Sequence, residues 1–294
     1  MVAFLFPGQG SHYRGMGRGL LAQPWAGSLV EEAEEATGMP WRDLPELTDV
    51  ELARTAVAQP AILVVEWLAW AALTRAGLRP TAVAGHSLGE FAALAAARVL
   101  PWPEALRLVT LRGRLMEEAA AAHPGGMVAA LGIPAEAAAE IAEMAGCHVA
   151  NYNAPGQTVL SGRADALDRA AALIHAHGGR ALPLPVAGAF HSPHMAEAEA
   201  RLAEALARVE FAPPAVPIVS GTSGAVEDDP ERIRSLLERQ MTSPVVWTKV
   251  MEALPTLGVV EAVEAGPGEV LTRLGRRCTS RVRFRALAEV VGDV

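Results

Sequence analysis

Apolar positions along the chain come in short blocks that switch between two spacings. Val2-Ala3-Phe4-Leu5-Phe6 is a compact apolar run that breaks at Pro7-Gly8-Gln9-Gly10-Ser11, which predicts a strand feeding a Gly-rich turn. Helical spacing follows around 26–37, 49–54 and 58–76. A second short run, Thr81 to Ala84, leads into a helical stretch from Leu88 to Leu100. Pro101-Trp102-Pro103 opens another helix reaching about 122, because proline is tolerated in a first turn. Further along, a helix at 195–208, a strand near Val216–Ser220 and a strand Val259–Glu264 before Gly266-Pro267-Gly268 complete the pattern. Strand alternating with helix predicts an α/β fold with a parallel sheet.

His123-Pro124-Gly125-Gly126 interrupts that rhythm. The elements that follow are shorter: strand 126–132, helix 135–145, strands 147–152 and 156–161, helix 164–177, strand 180–185. A β-α-β-β-α-β order of this kind is a ferredoxin-like unit of about 60 residues. The expected organisation is a large domain in two parts, 1–123 and 189–294, with a small subdomain, 124–188, inserted between them. A cleft between the two is the natural ligand site.

Composition narrows the function classes. The 51 % hydrophobic and 20 % charged content is that of an ordinary soluble globular protein. A net charge of -8 argues against general binding to nucleic acid or to an anionic membrane. The apolar run Ala61 to Leu73 contains Glu66 and stops at Arg75, so it reads as a core helix and not a membrane span. The N-terminus lacks a basic leader and reads as a first strand. Cys147 and Cys278 lie far apart without metal-ligand spacing, which fits a reducing cytoplasm.

The most chemical stretch is Gly85-His86-Ser87-Leu88-Gly89, a G-x-S-x-G. It lies between the run Thr81–Ala84 and a helix, the context of a nucleophile elbow. Ser87 Oγ is then expected at the carboxyl end of a parallel strand, near the positive end of a helix.

Arg112 stands out by geometry. On the helix 103–122 it shares a face with Leu108, Val109, Leu115 and Met116, while Arg107, Arg114 and Glu118 take the polar side. A buried guanidinium needs a partner. Two readings stay open: a structural salt bridge, for example to Glu90 or Glu264, or a grip on a ligand anion, to which arginine is suited.

A serine nucleophile also needs a base, usually histidine. Of the eight histidines, His191 and His194 lie in Gly188-Ala189-Phe190-His191-Ser192-Pro193-His194, a loop that re-enters the main domain from the insertion. His191 is the preferred base and His194 its alternative. His86, inside the elbow, is expected to point away from Ser87. The aspartates between Ser87 and His191 are Asp165 and Asp168, on a helix of the insertion, so a Ser-Asp-His triad is not supported. A backbone carbonyl is left to orient the imidazole.

These residues resemble a known family, the malonyl-CoA:acyl carrier protein transacylases and the acyltransferase domains of polyketide synthases. The resemblance is carried by Phe6-Pro7-Gly8-Gln9-Gly10-Ser11, Gln59-Pro60-Ala61, Gly85 to Glu90, and Leu111-Arg112-Gly113 with Met116. It continues through Asn151 to Gln157, Gly188 to Ser192, Ser243-Pro244-Val245 and Glu264 to Gly268. These stretches fall in the family's order across nearly the whole chain. His12 and Glu117 depart from it, standing where the family more often has glutamine. Val246 occupies a position that is glutamine in some members.

The resemblance implies an α/β-hydrolase-like large domain with an inserted ferredoxin-like one. It implies Ser87 as nucleophile and His191 as base, with the Val246 carbonyl holding the imidazole. Backbone N–H groups of Gln9 and Leu88 would form the oxyanion hole. Arg112, Met116 and Phe190 would bind substrate, with Arg112 on the free carboxylate of malonyl and Phe190 disfavouring an α-methyl branch. The implied reaction is ping-pong transfer of malonyl from malonyl-CoA to an acyl carrier protein, without metal or redox cofactor, in a cytoplasmic monomer. The carrier protein is acidic as a class, and Arg276 and Arg277, in a C-terminal arginine cluster with Arg281, Arg283 and Arg285, are expected to dock it. Runner-up readings are an acyl-carrier-protein acyl hydrolase, the malonyl-transferring subunit of a malonate decarboxylase, and a non-catalytic carrier-binding module.

Overall fold

The computed structural model describes residues 1–292; the last two residues of the expected 189–294 segment lie outside the described residues. Ten strands among them form two sheets. In chain order they are β1 Val2–Phe6, β2 Ala82–Gly85, β3 Gly126–Leu131, β4 His148–Ala154, β5 Gln157–Gly162, β6 Arg180–Pro183, β7 Ile218–Val219, β8 Val226–Glu227, β9 Glu261–Glu264 and β10 Arg283–Ala286.

The larger sheet has the order β10-β9-β1-β2-β7-β8. Its first five strands are parallel, and β8 turns back antiparallel on β7. Both faces are covered, so the central strands are apolar on both sides. Phe4, Phe6 and Val83 enter the main core, which includes the helices Thr55–Arg75, Gly89–Ala96 and Trp102–Ala122. Ala3, Leu5, Ala82 and Ala84 point the other way, onto Trp247, Val250, Met251 and Leu254 of the helix Trp247–Thr256. The helix Thr55–Arg75 is long and apolar enough to cross a membrane, but 83 % of its most apolar stretch is buried inside the molecule. Gly113 lets the helix Trp102–Ala122 approach it closely: a Cβ at Gly113 would lie 2.8 Å from the Thr55 carbonyl oxygen.

The smaller sheet is antiparallel, in the order β4-β5-β3-β6. The helices Ala135–Ala145 and Ala164–Ala176 pack on one face, where Ile141 and Ile174 meet Val128, Ala130 and Leu160. The opposite face sends Met127, Ala129 and Val159 into the main core. This is the expected ferredoxin-like unit, inserted into an α/β-hydrolase-like domain. Val245 ties it down: Val245 N–H donates to the Ala150 carbonyl at 2.9 Å, and Tyr152 N–H donates to the Val245 carbonyl at 2.8 Å.

Several elements went beyond the pattern. The helices Pro230–Glu238, Trp247–Thr256 and Val270–Cys278 and the strands β8 and β10 were not anticipated. β10 lies within the arginine cluster, where the alternation in Arg283-Phe284-Arg285-Ala286 buries Phe284 and Ala286 while the arginines face outward. The charge masked a strand period of two.

Candidate active site

The two parallel strands at the middle of the large sheet deliver the chemistry at their carboxyl ends. β1 runs into Pro7-Gly8-Gln9, and β2 runs into the elbow before the helix Gly89–Ala96. Ser87 sits there with φ 55°, a left-handed conformation that an L-residue adopts only under constraint. The flanking glycines make the constraint possible. A Cβ at Gly85 would lie 2.1 Å from the Gly89 backbone, and one at Gly89 would lie 2.1 Å from the Phe6 carbonyl oxygen. Only hydrogen at those positions allows the elbow to fold against itself and against β1.

His191 meets Ser87 across the cleft, with Ser87 Oγ 2.8 Å from His191 Nε2. His191 also has a positive φ, 55°. Its Nδ1 lies 3.0 Å from the Gln240 carbonyl oxygen and 3.0 Å from that of Ser243. Both are acceptors, so the proton belongs on Nδ1 and the lone pair of Nε2 faces the serine hydroxyl. Burial, then the charge of Arg112 and that of His86, lowers the His191 pKa to about 3. The imidazole is therefore neutral and able to accept a proton.

Arg112 is buried at 1 % exposure. Its Nη1 donates to Gln59 Oε1 at 2.7 Å, and its Nη2 donates to Gln240 Oε1 and to Ser87 Oγ, each at 3.0 Å. Its Nε has no partner among the described residues. Among the described residues no carboxylate lies within salt-bridge distance of it. The two acids considered as partners are engaged elsewhere: Glu90 accepts from Gln240 Nε2 at 2.7 Å, and Glu264 accepts the N–H groups of Leu271 and Thr272. Burial lowers the guanidinium pKa to about 10, opposed by the charge of Glu90, so the group stays cationic at neutral pH. A buried cation held only by neutral groups suits an incoming anion.

Gln9, Ser87, Arg112, Met116, Phe190 and His191 all line one cavity of about 140 Å³, with Met127 and Val159 from the small sheet. Met116 and Phe190 are buried. The N–H of Leu88 follows Ser87, and neither it nor the Gln9 N–H has a hydrogen-bond acceptor among the described residues. A more open groove of about 670 Å³, with Trp70, Arg98, Trp102 and Arg208 in its wall, contains none of these residues. The enclosed cavity is the one that carries reactive groups.

Val246 is a correction. Its carbonyl accepts from Lys249 and Val250 N–H, because Val246 caps the helix Trp247–Thr256. It is not available to His191, and Gln240 and Ser243 hold the imidazole instead. Residues without an assigned role also enter the site. Gln59 and Gln240 are 1 % and 2 % exposed and bond the guanidinium directly. His86 Nε2 lies 2.8 Å from Asn153 Oδ1, which ties the elbow to β4. Gln59, Asn153 and Ser243 stand inside stretches that carry the resemblance. Gln240 has no sequence signal of its own.

The two departures lie at the margins. His12 Nδ1 accepts the Gly10 N–H at 3.3 Å, and Glu117 pairs with Arg54 at 3.0 Å on the exposed side of the helix. Arg276 and Arg277 are exposed but bonded within the chain. Arg276 donates to the Phe284 carbonyl and to Glu289, and Arg277 to the Pro155 carbonyl and to Gln157.

Residues 3–294 match the family described as acyl transferase domain. The malonyl CoA-acyl carrier protein transacylase of Salmonella typhimurium is 40 % identical over 300 residues, covering 98 % of this chain and 96 % of that protein. The crystal structure of an acyl carrier protein S-malonyltransferase from Vibrio cholerae superposes with a TM-score of 0.92 at 38 % identity, covering 97 % and 96 % of the two chains. A type II polyketide synthase acyl carrier protein has been solved in complex with its malonyl-transacylase, and that structure matches with a TM-score of 0.92 at 36 % identity, covering 97 % of this chain and 95 % of that one.

Proposed function

The chain belongs to the acyl transferase domain family, and from that premise we propose that it transfers a malonyl group from malonyl-CoA to the phosphopantetheine thiol of an acyl carrier protein. It is an acyltransferase of the S-malonyltransferase type, and its partner is an acyl carrier protein. The observation that carries the substrate assignment is Arg112: a buried guanidinium without a carboxylate partner, 3.0 Å from the nucleophile. The carboxylate of malonyl sits two bonds beyond the carbonyl that Ser87 attacks, so both ends of the substrate fall within reach of this pair.

In the first half-reaction His191 Nε2 takes the Ser87 hydroxyl proton as Oγ bonds to the thioester carbonyl carbon. The developing oxyanion is assigned to the N–H groups of Gln9 and Leu88. Collapse breaks the carbon–sulfur bond, and the CoA thiolate leaves with the proton from His191. In the second half-reaction the pantetheine thiol gives its proton to His191 and attacks the malonyl-serine ester, and Ser87 Oγ leaves and recovers the proton. The carbonyls of Gln240 and Ser243 stabilise the imidazolium formed in each half. Malonyl-CoA enters as a substrate, and the steps as written call on no cofactor. Met116, Met127, Val159 and Phe190 give the cavity apolar walls, which favour thiol over water as the second nucleophile.

The chain divides, in this reading, into a large domain, 1–123 and 189–294, and the inserted 124–188, with the site in the cleft between them. The carrier protein meets the arginine-rich C-terminal face. Arg281 and Arg283 are exposed there beside Arg276 and Arg277. We place the enzyme in the cytoplasm, as a monomer.

A clamp for a carboxylate is a burden on neutral acyl chains and weighs against an acyl hydrolase. Intact mass after mixing with malonyl-CoA, and then with phosphopantetheinylated carrier protein, tests the reading. A malonyl adduct that moves to the carrier is expected. Acyl release from a carrier with no malonyl adduct would replace transfer with hydrolysis.

A further inference from the structure

The side chain of Gln240 has two different ends, and its surroundings allow one orientation. Oε1 faces Arg112 Nη2, which can only donate. Nε2 faces the Ser87 carbonyl at 3.0 Å and Glu90 Oε2 at 2.7 Å, which accept. Reversing the amide would set a donor against the guanidinium and an acceptor against two acceptors. The backbone carbonyl of the same residue holds His191. One glutamine therefore touches the clamp, the backbone of the nucleophile and the base.

Glu90 is the carboxyl member of this set and, like the Gln240 side chain, does not line the cavity. It is 4 % exposed and is not in a salt bridge, an expensive position for a carboxylate. It lies three residues after Ser87 in the helix Gly89–Ala96, so it moves with the elbow. Burial pushes its carboxyl up, while hydrogen bonds from Ser220, Gln240 and the Gly221 N–H and the charge of Arg112 pull it down. Glu90 is the nearer of the two acceptors of Nε2, and with the Ser87 carbonyl it directs Oε1 toward Arg112.

We propose that Glu90 is a positioning residue for substrate selection: it fixes the Gln240 amide so that the Arg112 guanidinium is aimed at the substrate carboxylate. The proposal rests on the reading of Arg112 as the malonyl clamp. A change at Glu90 should leave His191 in place, since the Ser243 carbonyl is a second partner for Nδ1. Loss of Glu90 should disturb the clamp more than the base.

The test is the loading of Ser87 by malonyl-CoA and by acetyl-CoA, followed by intact mass at early times. Glu90→Gln keeps the shape but can set an amide NH2 against Gln240 Nε2, which weakens the nearer of the two anchors of that amide. Malonyl loading is expected to fall about tenfold or more, the scale of one lost hydrogen bond to a charged group, with acetyl loading far less affected. Gln240→Glu, which gives Arg112 a permanent carboxylate, should shift the same ratio in the same direction if Glu90→Gln fails to fold. Equal losses for both acyl groups, or no loss for either, would overturn the proposal. Wild-type protein that takes no malonyl, or Arg112→Ala that keeps the malonyl preference, would instead sink the clamp reading, whatever Glu90 does.

Discussion

Arg112 Nη2 stands 3.0 Å from Ser87 Oγ, so the proposed selectivity cation and the proposed nucleophile share a hydrogen bond. Ser87 Oγ is at the same time 2.8 Å from His191 Nε2. The hydroxyl donates to the imidazole and accepts from the guanidinium. A carboxylate near Arg112 competes well against neutral acceptors, because charge-assisted hydrogen bonds are roughly twice as strong. Substrate binding thus acts on the same guanidinium that depresses the basicity of His191.

The pH dependence follows. The His191 pKa is lowered to about 3, so the imidazole stays neutral far below the ordinary histidine range of about 6.5. The pH profile of kcat/KM for malonyl-CoA reports the free enzyme and should show no acid limb near that range. Because Arg112 is the second cause of the depression, Arg112→Ala should move the limb upward. A limb near the ordinary histidine value in the wild type would contradict the burial account. The sign for stability is opposite to that of a paired histidine. Below about pH 6.5 the unfolded chain binds a proton that the native site refuses, so stability from this residue is lost as pH falls from there.

Glu66 predicts the reverse slope. It is fully buried in the helix Thr55–Arg75, and neither carboxyl oxygen has a partner among the described residues. Burial first, and the neighbouring Glu264 second, push its carboxyl well above the usual range. Above about pH 4.3 the unfolded chain releases this proton while the native state retains it, so stability falls as pH rises toward the folded pKa. Glu66→Met should remove that slope and add roughly 1–3 kcal/mol near neutral pH, the cost of an unsatisfied buried polar group. Urea midpoints for both proteins at acidic and alkaline pH check it. Parallel pH dependences would show that Glu66 is ionised and compensated.

The elbow makes a sterically sharp prediction. Gly89→Ala places a methyl where the Phe6 carbonyl oxygen already stands, 2.1 Å from the new Cβ. The backbone must move, and a loss of roughly 3 kcal/mol or more is expected, toward the upper end of single-residue effects. Gly27→Ala is the control. It lies in the helix Ala26–Thr37 with nothing within 4 Å of the new Cβ. Helix propensity alone should raise stability there by about 0.5–1 kcal/mol. Similar melting temperatures for the two variants would contradict the packing at the elbow.

What was legible in the sequence was what has a period or a motif. β1, the elbow and the βαββαβ unit all carry local spacing, and each lies within a residue or two of its expected place. Arg112 was visible because a charge on an apolar helix face is a local anomaly. His191 was visible because its loop had to return to the cleft. The partners of His191 were not readable in that way. A backbone carbonyl belongs to every residue, so only the three-dimensional path of 240–246 separates Gln240 and Ser243 from Val246. Gln240 was silent for a related reason: a buried glutamine at a helix end looks like a surface one until its neighbours, 150 residues or more distant for Ser87 and Glu90, are in place. The arginine cluster illustrates the opposite fault, a charge signal strong enough to conceal β10.

The most direct measurement is the rate at which Ser87 acquires malonyl and acetyl in wild type and in Arg112→Ala, each followed by intact mass with the CoA thioester in excess. The account predicts a wild type that strongly prefers malonyl. In the variant, malonyl loading should fall by about a hundredfold, in line with leaving a charge pair unmade, while acetyl loading is retained or improved. An Arg112→Ala protein that keeps the wild-type preference would contradict the central claim that this buried guanidinium selects the substrate.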